Sequence, residues 1–423
     1  MNCKVEKAKL SGKIVCPANK SYTHRAIFLA SLADGKSIIN NVLRSADTNA
    51  TIEACKNFGI EIKEKNSNLA IIGSSDEAIN AANIDAVNSG TTIRIASAIA
   101  GLVEGKTSLT GDESLQKRPM KPLLDALETI GAKCTSVDGK PPITVSGKIK
   151  GGEVSIPGNI SSQFISALMI VAPRTENGIV LNIEGDLVSK PYLDATIATM
   201  RKFGASVKTH IPYKKYTILP QLYKSTTFVV PSDFSSLALL LSAAVLIGDE
   251  LKINVNMGDL PQGDESFIDI LEMLGVKISI TEDMITVNSP EKLSGGRFDL
   301  GNTPDLLPPL AIMALKTSEP IEIFNVKHAR FKETDRIAIL ARELSKIGIK
   351  VTENEDGLVL KNSQELKGGM LDSENDHRLF MAFCIAGTFV GDCTVSNAES
   401  VSVSYPTFVE DLNKVGASLE TSA

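Results

Sequence analysis

The sequence predicts an α/β protein of two similar domains, each built from three copies of one βαβαββ unit. One observation is a glycine that follows an amphipathic helix pattern at nearly equal intervals along the chain. The other is an apolar helix pattern with a polar start, which precedes each of these glycines. A unit of this size is larger than a solenoid repeat, so we expect three units to close around a common pseudo-threefold axis.

The repeated glycine is the clearest mark of the unit. A glycine commonly follows the end of a helix because it has no Cβ to clash in the left-handed conformation. The successive intervals are 72, 73, 71, 73 and 68 residues, which is too regular for chance. The six positions are Gly59, Gly131, Gly204, Gly275, Gly348 and Gly416.

Within each unit the patterns follow one order. A first helix begins near a polar residue, a strand follows it, a second helix ends at the repeated glycine, and one or two strands close the unit. The first helices start near Ser21, Thr91, Ser161, Ser235, Asp305 and Asp376. The strands after them are expected over Ser37–Asn41, Lys106–Leu109, Gly178–Ile183, Glu250–Val255, Pro320–Phe324 and Asp392–Val395.

The fifth unit shows the second helix most clearly. Its apolar positions include Ile337, Leu340 and Leu344, which have the spacing of a helix with one buried stripe. Charged residues precede them, and Lys332 and Glu333 are expected to open the helix.

Six units divide into two halves of three, with a boundary predicted near residues 225–232.

Composition excludes several classes of protein. The net charge is −6 and the pI is about 5.5, which argues against a nucleic-acid or anionic-membrane surface. Six scattered cysteines without a C-x-x-C pair indicate reduced thiols in a cytoplasmic protein. The most apolar run, Leu237 to Ile247, is about half the length that crosses a bilayer. The chain has no phosphate loop, dinucleotide turn or nucleophile elbow motif.

Positively charged side chains nevertheless recur at or near the predicted helix starts. They are Lys20, Arg25, Arg94, Arg118, Lys332, Arg336 and Arg378. Helix N-termini carry unpaired N–H groups and partial positive charge, so they bind anions, phosphate above all. Cations at equivalent places in several units would converge if the units pack symmetrically. The pattern therefore predicts a small polyanionic substrate.

Each of these residues also has a simpler explanation. Ser235 and Thr91 are expected to be ordinary helix caps. Arg94 alone is a weak signal, and the charged segment 332–336 is equally compatible with an exposed turn. His377 fits a structural role as well as a catalytic one, and the remaining histidines lack metal-ligand spacing. Only the recurrence of the pattern favours function.

Eight short motifs occur in order along nearly the whole chain. They are N-K-S-Y-T-H-R (19–25), N-S-G-T-T-I-R (88–94), K-R-P-M (117–120), S-S-Q-F (161–164), S-K-P-Y (189–192), P-D (304–305), F-K-E-T-D-R-I (331–337) and N-D-H-R (375–378). Together they resemble the 5-enolpyruvylshikimate-3-phosphate synthase (3-phosphoshikimate 1-carboxyvinyltransferase) family of enolpyruvyl transferases. The resemblance implies an active site in the cleft between the two domains, no metal or organic cofactor, and a monomer. It also implies that the N-terminal segment packs with the second domain, so the predicted domains are 18–230, and 231–423 together with 1–17.

The resemblance also implies an activity: transfer of the enolpyruvyl group of phosphoenolpyruvate to the 5-hydroxyl of 3-phosphoshikimate. The catalytic residues implied are Asp305, Glu333, Lys332 and Lys20. Glu333 would exchange the proton at C3, and Asp305 and Lys332 would handle the hydroxyl proton. The implied 3-phosphoshikimate residues are Lys20, Ser21, Arg25, Ser161, Ser162, Gln163, Ser189, Tyr192, Asp305 and Lys332. The implied phosphoenolpyruvate residues are Lys20, Asn88, Gly90, Arg118, Gln163, Arg336 and Arg378.

Two positions depart from the family pattern. Val403 stands where many members have a lysine, and His328 stands where many have an asparagine. The nearest alternative is an enolpyruvyl transferase acting on UDP-N-acetylglucosamine, which typically has a cysteine in the loop that here runs from Gly111 to Arg118 without one. A non-catalytic anion-binding relative is the second alternative, and the presence of Glu333, Lys332 and Asp305 argues against it.

Overall fold

The computed structural model describes residues 1–74, 79–363 and 365–422, which form helices and strands in regular alternation. The helices are α1 (Lys20–Leu32), α2 (Ala46–Asn57), α3 (Gly90–Ala100), α4 (Lys121–Thr129), α5 (Ser162–Val171), α6 (Lys190–Lys202), α7 (Phe234–Ile247), α8 (Ser266–Met273), α9 (Leu307–Met313), α10 (Arg336–Lys346), α11 (His377–Val390) and α12 (Phe408–Lys414).

The strands are short, as is usual for a globular α/β protein. They are β1 (Asn2–Val5), β2 (Leu10–Val15), β3 (Ala33–Asn40), β4 (Glu61–Lys65), β5 (Asn68–Gly73), β6 (Asn83–Asp85), β7 (Lys106–Thr110), β8 (Lys133–Val137), β9 (Lys140–Ser146), β10 (Gly152–Pro157), β11 (Ile179–Glu184), β12 (Lys208–Ile211), β13 (Lys215–Ile218), β14 (Tyr223–Lys224), β15 (Thr227–Val229), β16 (Gly248–Asn254), β17 (Lys277–Ile280), β18 (Met284–Asn288), β19 (Gly296–Asp299), β20 (Ile321–Phe324), β21 (Ile349–Asn354), β22 (Gly357–Asn362), β23 (Met370–Leu371), β24 (Cys393–Ser396) and β25 (Leu419–Ser422).

The chain forms two compact lobes. The first lobe consists of Ala18–Pro231 with Asp259–Pro261, and it contains the first three repeats. The second lobe consists of Met1–Pro17, Ser232–Gly258 and Gln262–Ala423, and it contains the last three. Each lobe has its own apolar core.

Every repeat builds a sheet with the same strand order. In the second repeat the order is β6-β7-β9-β8, with β6 parallel to β7 and both later strands antiparallel to their neighbours. The third and fifth repeats have the same order from consecutive strands. The prediction of an α/β fold made of six βαβαββ units is confirmed.

Three repeats take a strand from a distant part of the chain. In the first repeat, β14 and β15 run parallel to β3. In the fourth repeat, β2 runs parallel to β16. In the sixth repeat, β1 lies between β24 and β25 and is antiparallel to both. The first fifteen residues therefore complete two sheets of the second lobe.

The repeated glycines all have the backbone conformation that their spacing predicted. Gly59, Gly131, Gly204, Gly275, Gly348 and Gly416 have φ angles of +94°, +118°, +81°, +93°, +102° and +108°. A side chain at these angles is strained, because its Cβ clashes with the backbone. Each glycine thus ends its helix and turns the chain into the following strand.

The first helices of the repeats are the most buried elements. All fourteen residues of α7 are buried, and α7 packs against α9 and α11 in the interior of the second lobe. In the first lobe α3 packs against α5, and α6 contacts both α1 and α5. Among the described residues, no helix is both long enough and apolar enough to span a bilayer.

Two predicted helix caps were wrong, although both helices begin within one residue of the predicted positions. Ser89 and Asp233, not Thr91 and Ser235, are the N-caps of α3 and α7, because their side chains accept the free N–H groups of the first turn.

The second helix of the fifth repeat also begins later than predicted. Asp335 caps α10, whose first residue is Arg336, so Lys332 and Glu333 lie in the preceding turn. The start of α4 was also predicted too early, at Arg118. A short 3-10 helix, Leu115–Lys117, comes first, and α4 begins at Lys121.

Candidate active site

In the first lobe, Arg25 joins the N-terminal ends of α1 and α6. Its guanidinium is buried and donates to the Ser21 carbonyl at 2.9 Å, the Tyr192 carbonyl at 3.0 Å and Thr196 Oγ1 at 2.8 Å. Burial lowers the pKa of Arg25 to about 10, so the side chain is still charged at neutral pH. The predicted residues Ser21 and Tyr192 are therefore neighbours.

Lys20, the first residue of α1, is held at the start of α2. Its ammonium lies 3.1 Å from the carboxylate of Asp47, a residue in the first turn of α2. The Asp47 carbonyl oxygen lies 3.4 Å from Thr92 Oγ1, so the start of α3 lies beside the start of α2. Lys20 is partly buried, and a partly buried ammonium close to helix N-termini is suited to an anion.

Behind these contacts, a chain of hydroxyl groups joins α1, α2 and α3. His24 Nδ1 lies 2.6 Å from Thr51 Oγ1, which lies 2.7 Å from Thr92 Oγ1. Thr92 then donates to the N-cap Ser89 at 2.7 Å. Burial lowers the pKa of His24 well below its usual value, and the nearby Lys20 adds to this, so the imidazole is neutral.

Two arginines meet at Gly90, the first residue of α3. A Cβ added to Gly90 would lie 3.1 Å from Arg94 Nη1 and 3.2 Å from Arg118 Nη1, so glycine lets the two guanidinium groups approach without a shift. Arg94 also donates to the Gln163 side chain at the start of α5. Arg118 donates to Asn88 Oδ1 at 2.8 Å. The predicted residues Asn88, Gly90, Arg118 and Gln163 thus form one cationic group.

Three predicted serines lie at the starts of α5 and α6. Ser161 caps α5 and accepts from the Gln163 N–H at 3.3 Å. Ser162 and Ser189 are buried, and their hydroxyls have no hydrogen-bond partner in the described parts of the chain. Ser189 also has φ +56°, an unfavourable angle for a residue other than glycine, and such strained residues occur at active sites. These hydroxyls are suited to an anion such as phosphate.

In the second lobe, Arg336 lies at the centre of a group of carboxylates. Its side chain is 1% exposed and donates to Asp305 at 2.7 Å, Glu333 at 2.8 Å and Asp376 at 2.7 Å. Burial alone would lower the pKa of Arg336, but the three carboxylates raise it above its usual value. Arg336 therefore fixes the relative positions of three acids whose residues lie far apart in the sequence.

Asp305 is shared by three cations. Besides Arg336, it lies 3.2 Å from Arg378 Nη2 and 4.0 Å from the Lys332 ammonium. Burial lowers the pKa of Lys332, with Arg336 and Arg378 acting in the same direction and Asp305 and Glu333 against it. The easier loss of a proton makes Lys332 a better proton donor and acceptor at neutral pH than an ordinary lysine.

Two further side chains belong to this group. His328 is neutral at pH 7, because burial lowers its pKa to about 4 and Lys332 adds to the effect. Asp264 is buried in a short 3-10 helix before α8 and accepts a hydrogen bond from Ser235 Oγ. The group therefore draws on the starts of α7, α10 and α11 and on the short 3-10 helices that precede α8 and α9.

Comparison with known proteins identifies the family. The model of the family described as EPSP synthase (3-phosphoshikimate 1-carboxyvinyltransferase) matches residues 5–412. A 3-phosphoshikimate 1-carboxyvinyltransferase of Nitrosopumilus maritimus is 67% identical over 420 residues, covering 99% of this chain and all of the relative. The chain belongs to the EPSP synthase family.

Other members confirm the relation over the full length. A 3-phosphoshikimate 1-carboxyvinyltransferase of Methanosarcina mazei is 43% identical over 428 residues, which cover 99% of both chains. The solved structure of EPSP synthase from Acinetobacter baumannii is 26% identical and has a TM-score of 0.83, with both chains fully covered. The enolpyruvyl transferase NikO from Streptomyces tendae, at 18% identity and a TM-score of 0.78, shares the fold.

The EPSP synthase motifs predicted one set of residues for each of two substrates, and each set has members in both lobes. The first lobe brings together Lys20, Ser21, Arg25, Asn88, Gly90, Arg118, Ser161, Ser162, Gln163, Ser189 and Tyr192 at helix starts. The second lobe brings together Asp305, Lys332, Glu333, Arg336 and Arg378. Val403 ends the short 3-10 helix Ala398–Val403 and brings no charge.

The predicted site left out four charged residues of these groups, and only Arg94 had been named among the cations at helix starts. Arg94 was discounted as a single arginine, although the motif 88–94 includes it. Asp376 lies inside the motif 375–378, which was a usable signal. Asp47 and Asp264 carried no sequence signal, because only folding places them beside Lys20 and Asp305.

Proposed function

We propose that this protein transfers the enolpyruvyl group of phosphoenolpyruvate to the 5-hydroxyl of 3-phosphoshikimate, releasing phosphate. The observation that carries the proposal is the family match over residues 5–412, with the predicted charged residues gathered in each lobe. The substrates carry two phosphates and two carboxylates between them. A site for them needs several fixed cations and an acid that works in both directions.

The first lobe supplies the groups that hold phosphates and the shikimate ring. Lys20 and Arg118 bind phosphoenolpyruvate, and Asn88 and Gln163 fix the orientation of the arginines beside it. The free hydroxyls of Ser162 and Ser189, with that of Ser161, donate to the phosphate of 3-phosphoshikimate. Ser21, Arg25, Gln163 and Tyr192 hold the remaining carboxylate and ring. Arg25 gives this carboxylate only its free N–H groups, because three are already donated within the lobe.

The second lobe supplies the carboxylate-binding cations and the proton-transfer groups. Arg336 and Arg378 bind the carboxylate of phosphoenolpyruvate, since a guanidinium can donate two parallel hydrogen bonds to it. Asp305 and Lys332 take the proton of the 5-hydroxyl as its oxygen bonds to C2. Glu333 takes up a proton from solvent and donates it to C3 in this addition. The same Glu333 then removes a proton from C3 as phosphate leaves from C2 of the tetrahedral intermediate.

The ion pairs around Arg336 hold these charged side chains in fixed positions before substrates bind. Three carboxylates already accept from its guanidinium, at 2.7 to 2.8 Å. Fixed charges of this kind need little reorganisation when charge develops in the transition state, which is a main source of catalytic rate. The arrangement therefore favours an enzyme over a protein that only binds anions.

We also propose that the two lobes correspond to domains 18–230 and 1–17 with 231–423, and that the enzyme is a cytoplasmic monomer acting on small molecules. The division of the chain into two compact lobes supports the first statement. The six cysteines, all free, support a reducing compartment.

A phosphate-release assay tests the function. The full chain should release phosphate from phosphoenolpyruvate only when 3-phosphoshikimate is present. Glu333→Gln should lower kcat by about 10²–10⁴-fold, the usual contribution of a positioned proton-transfer group. The matched control is Glu355→Gln, an exposed glutamate of the same lobe that should keep full activity.

Each other result of this assay has a clear meaning. Turnover with UDP-N-acetylglucosamine in place of 3-phosphoshikimate would assign the related transferase activity instead. Binding of both substrates without phosphate release would assign a non-catalytic role. Equal losses in both glutamate variants would remove Glu333 from the reaction.

A further inference from the structure

The charged group of the second lobe contains more acids than bases. The carboxylates are Asp233, Asp264, Asp305, Glu333 and Asp376, and the cations are Lys332, Arg336 and Arg378. If all were ionised, five negative charges would face three positive charges in a region that binds an anionic substrate. A buried excess of negative charge is unfavourable, so the group is expected to keep a proton.

Asp264 is the carboxylate of this group whose negative charge is least balanced by nearby cations and hydrogen-bond donors. Asp305 pairs with three cations, and Asp376 accepts from Arg336 and from two backbone N–H groups. In contrast, Asp264 makes no ion pair in the described part of the chain, and its carboxylate accepts one hydrogen bond, from Ser235 Oγ. Its charged surroundings are Asp305, Asp233 and Arg378, two of them negative.

We propose that Asp264 is a positioning residue for Asp305: it holds the proton that this group of acids shares and so leaves Asp305 ionised for the reaction. The proposal rests on the role given above to Asp305 as an acceptor of the hydroxyl proton. Asp264 has no part in the substrate contacts implied by the family motifs. Asp264 acts through its own charge. When ionised, it places a negative charge beside Asp305 and Arg378; when protonated, it places none.

Burial is the main physical cause of this behaviour. It raises the pKa of Asp264 to about 7, and the charges of Asp305 and Asp233 act in the same direction. The Ser235 hydroxyl and Arg378 oppose the shift, because both favour the charged form. Below pH 7 Asp264 is therefore neutral, and above it a second negative charge appears next to Asp305.

The raised pKa also fixes the sign of a stability effect. A carboxyl that is harder to ionise in the folded protein binds its proton more tightly there than in the unfolded chain. The folded state consequently loses stability, relative to the unfolded state, as the pH rises from about 4 to about 7. Asp264→Asn removes this loss, so the variant should gain stability relative to the natural protein over that interval.

The protonation of Asp264 can be measured without turnover. The full, ligand-free chain is labelled with ¹³C at the aspartate carboxyl carbons and titrated by NMR. One signal, absent in Asp264→Asn, should titrate near pH 7. In Asp305→Asn this signal should titrate at a lower pH, by about one unit or more, because a neighbouring negative charge is gone. The exposed aspartate on α8 provides the control, since Asp269→Asn should leave the signal unchanged.

A second variant covers the case in which Asp264→Asn does not fold. Ser235→Ala removes the hydroxyl that favours the charged form, so the same signal should titrate at a higher pH. A carboxyl signal for Asp264 that titrates below about pH 5, as an ordinary aspartate does, overturns the proposal. An unchanged midpoint in Asp305→Asn overturns the coupling to Asp305.

The pH dependence of kcat/KM tests whether the proton on Asp264 affects the reaction. The natural protein's kcat/KM for phosphoenolpyruvate should fall about fivefold or more between about pH 6.5 and 8.5, since the free enzyme's ionisations govern this ratio. Asp264→Asn should change by less than about twofold over the same range, and Asp269→Asn should follow the natural protein. Identical profiles in all three would refute the positioning role. An absence of turnover would instead refute the proposed function, and the NMR result would still decide the protonation of Asp264.

Discussion

At the scale of single residues, the charged side chains of the two groups are held in place by specific ion-pair and hydrogen-bond partners. Arg336 is almost fully buried, yet each end of its guanidinium has a carboxylate partner. A buried ion pair contributes little net stability when complete, because desolvation of both charges opposes their attraction. Loss of one partner is costly, since the remaining charges stay buried and unpaired.

Arg336→Met is therefore expected to destabilise the protein by about 3–5 kcal/mol. The variant leaves Asp305, Glu333 and Asp376 without their shared donor. Arg297→Met is the matched control: its pair with Glu322 is exposed, so its loss should cost less than about 1 kcal/mol. Urea unfolding of both variants measures the difference. Similar free energies of unfolding would show that the buried group tolerates the loss of its central cation.

The same residues show where sequence reasoning stopped. The cations at helix starts were predictable, because their charge and the local helix pattern can be read from neighbouring positions. Their partners were not, since Asp305 and Asp376 lie 31 and 40 residues from Arg336. Nor can burial, which sets the pKa values of Asp264 and Lys332, be read from the residue type. The sequence therefore predicted an anion site but not its balance of charge.

At the scale of elements, the repeated unit was predictable because its signals are local. A helix pattern that ends in glycine and turns into a strand needs no distant contact to be recognised. The exact helix starts were harder to predict. Ser89 caps α3, but it is followed by other polar residues of a type that can also cap a helix. Substitution at a repeated glycine tests whether glycine is needed for the backbone conformation at the end of the helix.

Gly204→Val should cost about 1–3 kcal/mol of stability without impairing the reaction. Gly204 has φ +81°, and an added Cβ would lie 3.1 Å from the Lys224 side chain, which is flexible enough to move. The backbone angle is thus the main cost. Gly204→Asn shares the position but tolerates this angle better, so it should lose less. Thermal unfolding compares the two, and kcat is measured below both transitions. Equal losses would mean that side-chain size, and not the backbone angle, decides the cost.

At the scale of the whole molecule, the chain's first strand belongs to the last repeat. β1 lies between β24 and β25 of the second lobe, and Cys3 and Val5 are fully buried on one of its faces. Lys4 lies on the opposite face, exposed. A strand pattern predicts the alternation of these faces but not the sheet that the strand joins, because strand pairing over nearly four hundred residues is set by the fold as a whole.

Val5→Asn should consequently destabilise the second lobe by about 3 kcal/mol or more, because a core side chain is lost and a polar amide is buried. Lys4→Asn places the same side chain on the exposed face of β1 and should have little effect. Hydrogen exchange read by mass spectrometry locates the effect: exchange should become faster in β24, β25 and α11 of Val5→Asn, while α1 to α6 keep their protection. Faster exchange confined to the first lobe, or an equal effect of both variants, would contradict the assignment of β1 to the core of the second lobe. Because β1 closes the sheet packed on α11, and α11 carries Arg378 at its start, the same variant should also weaken phosphoenolpyruvate binding as the second lobe loosens.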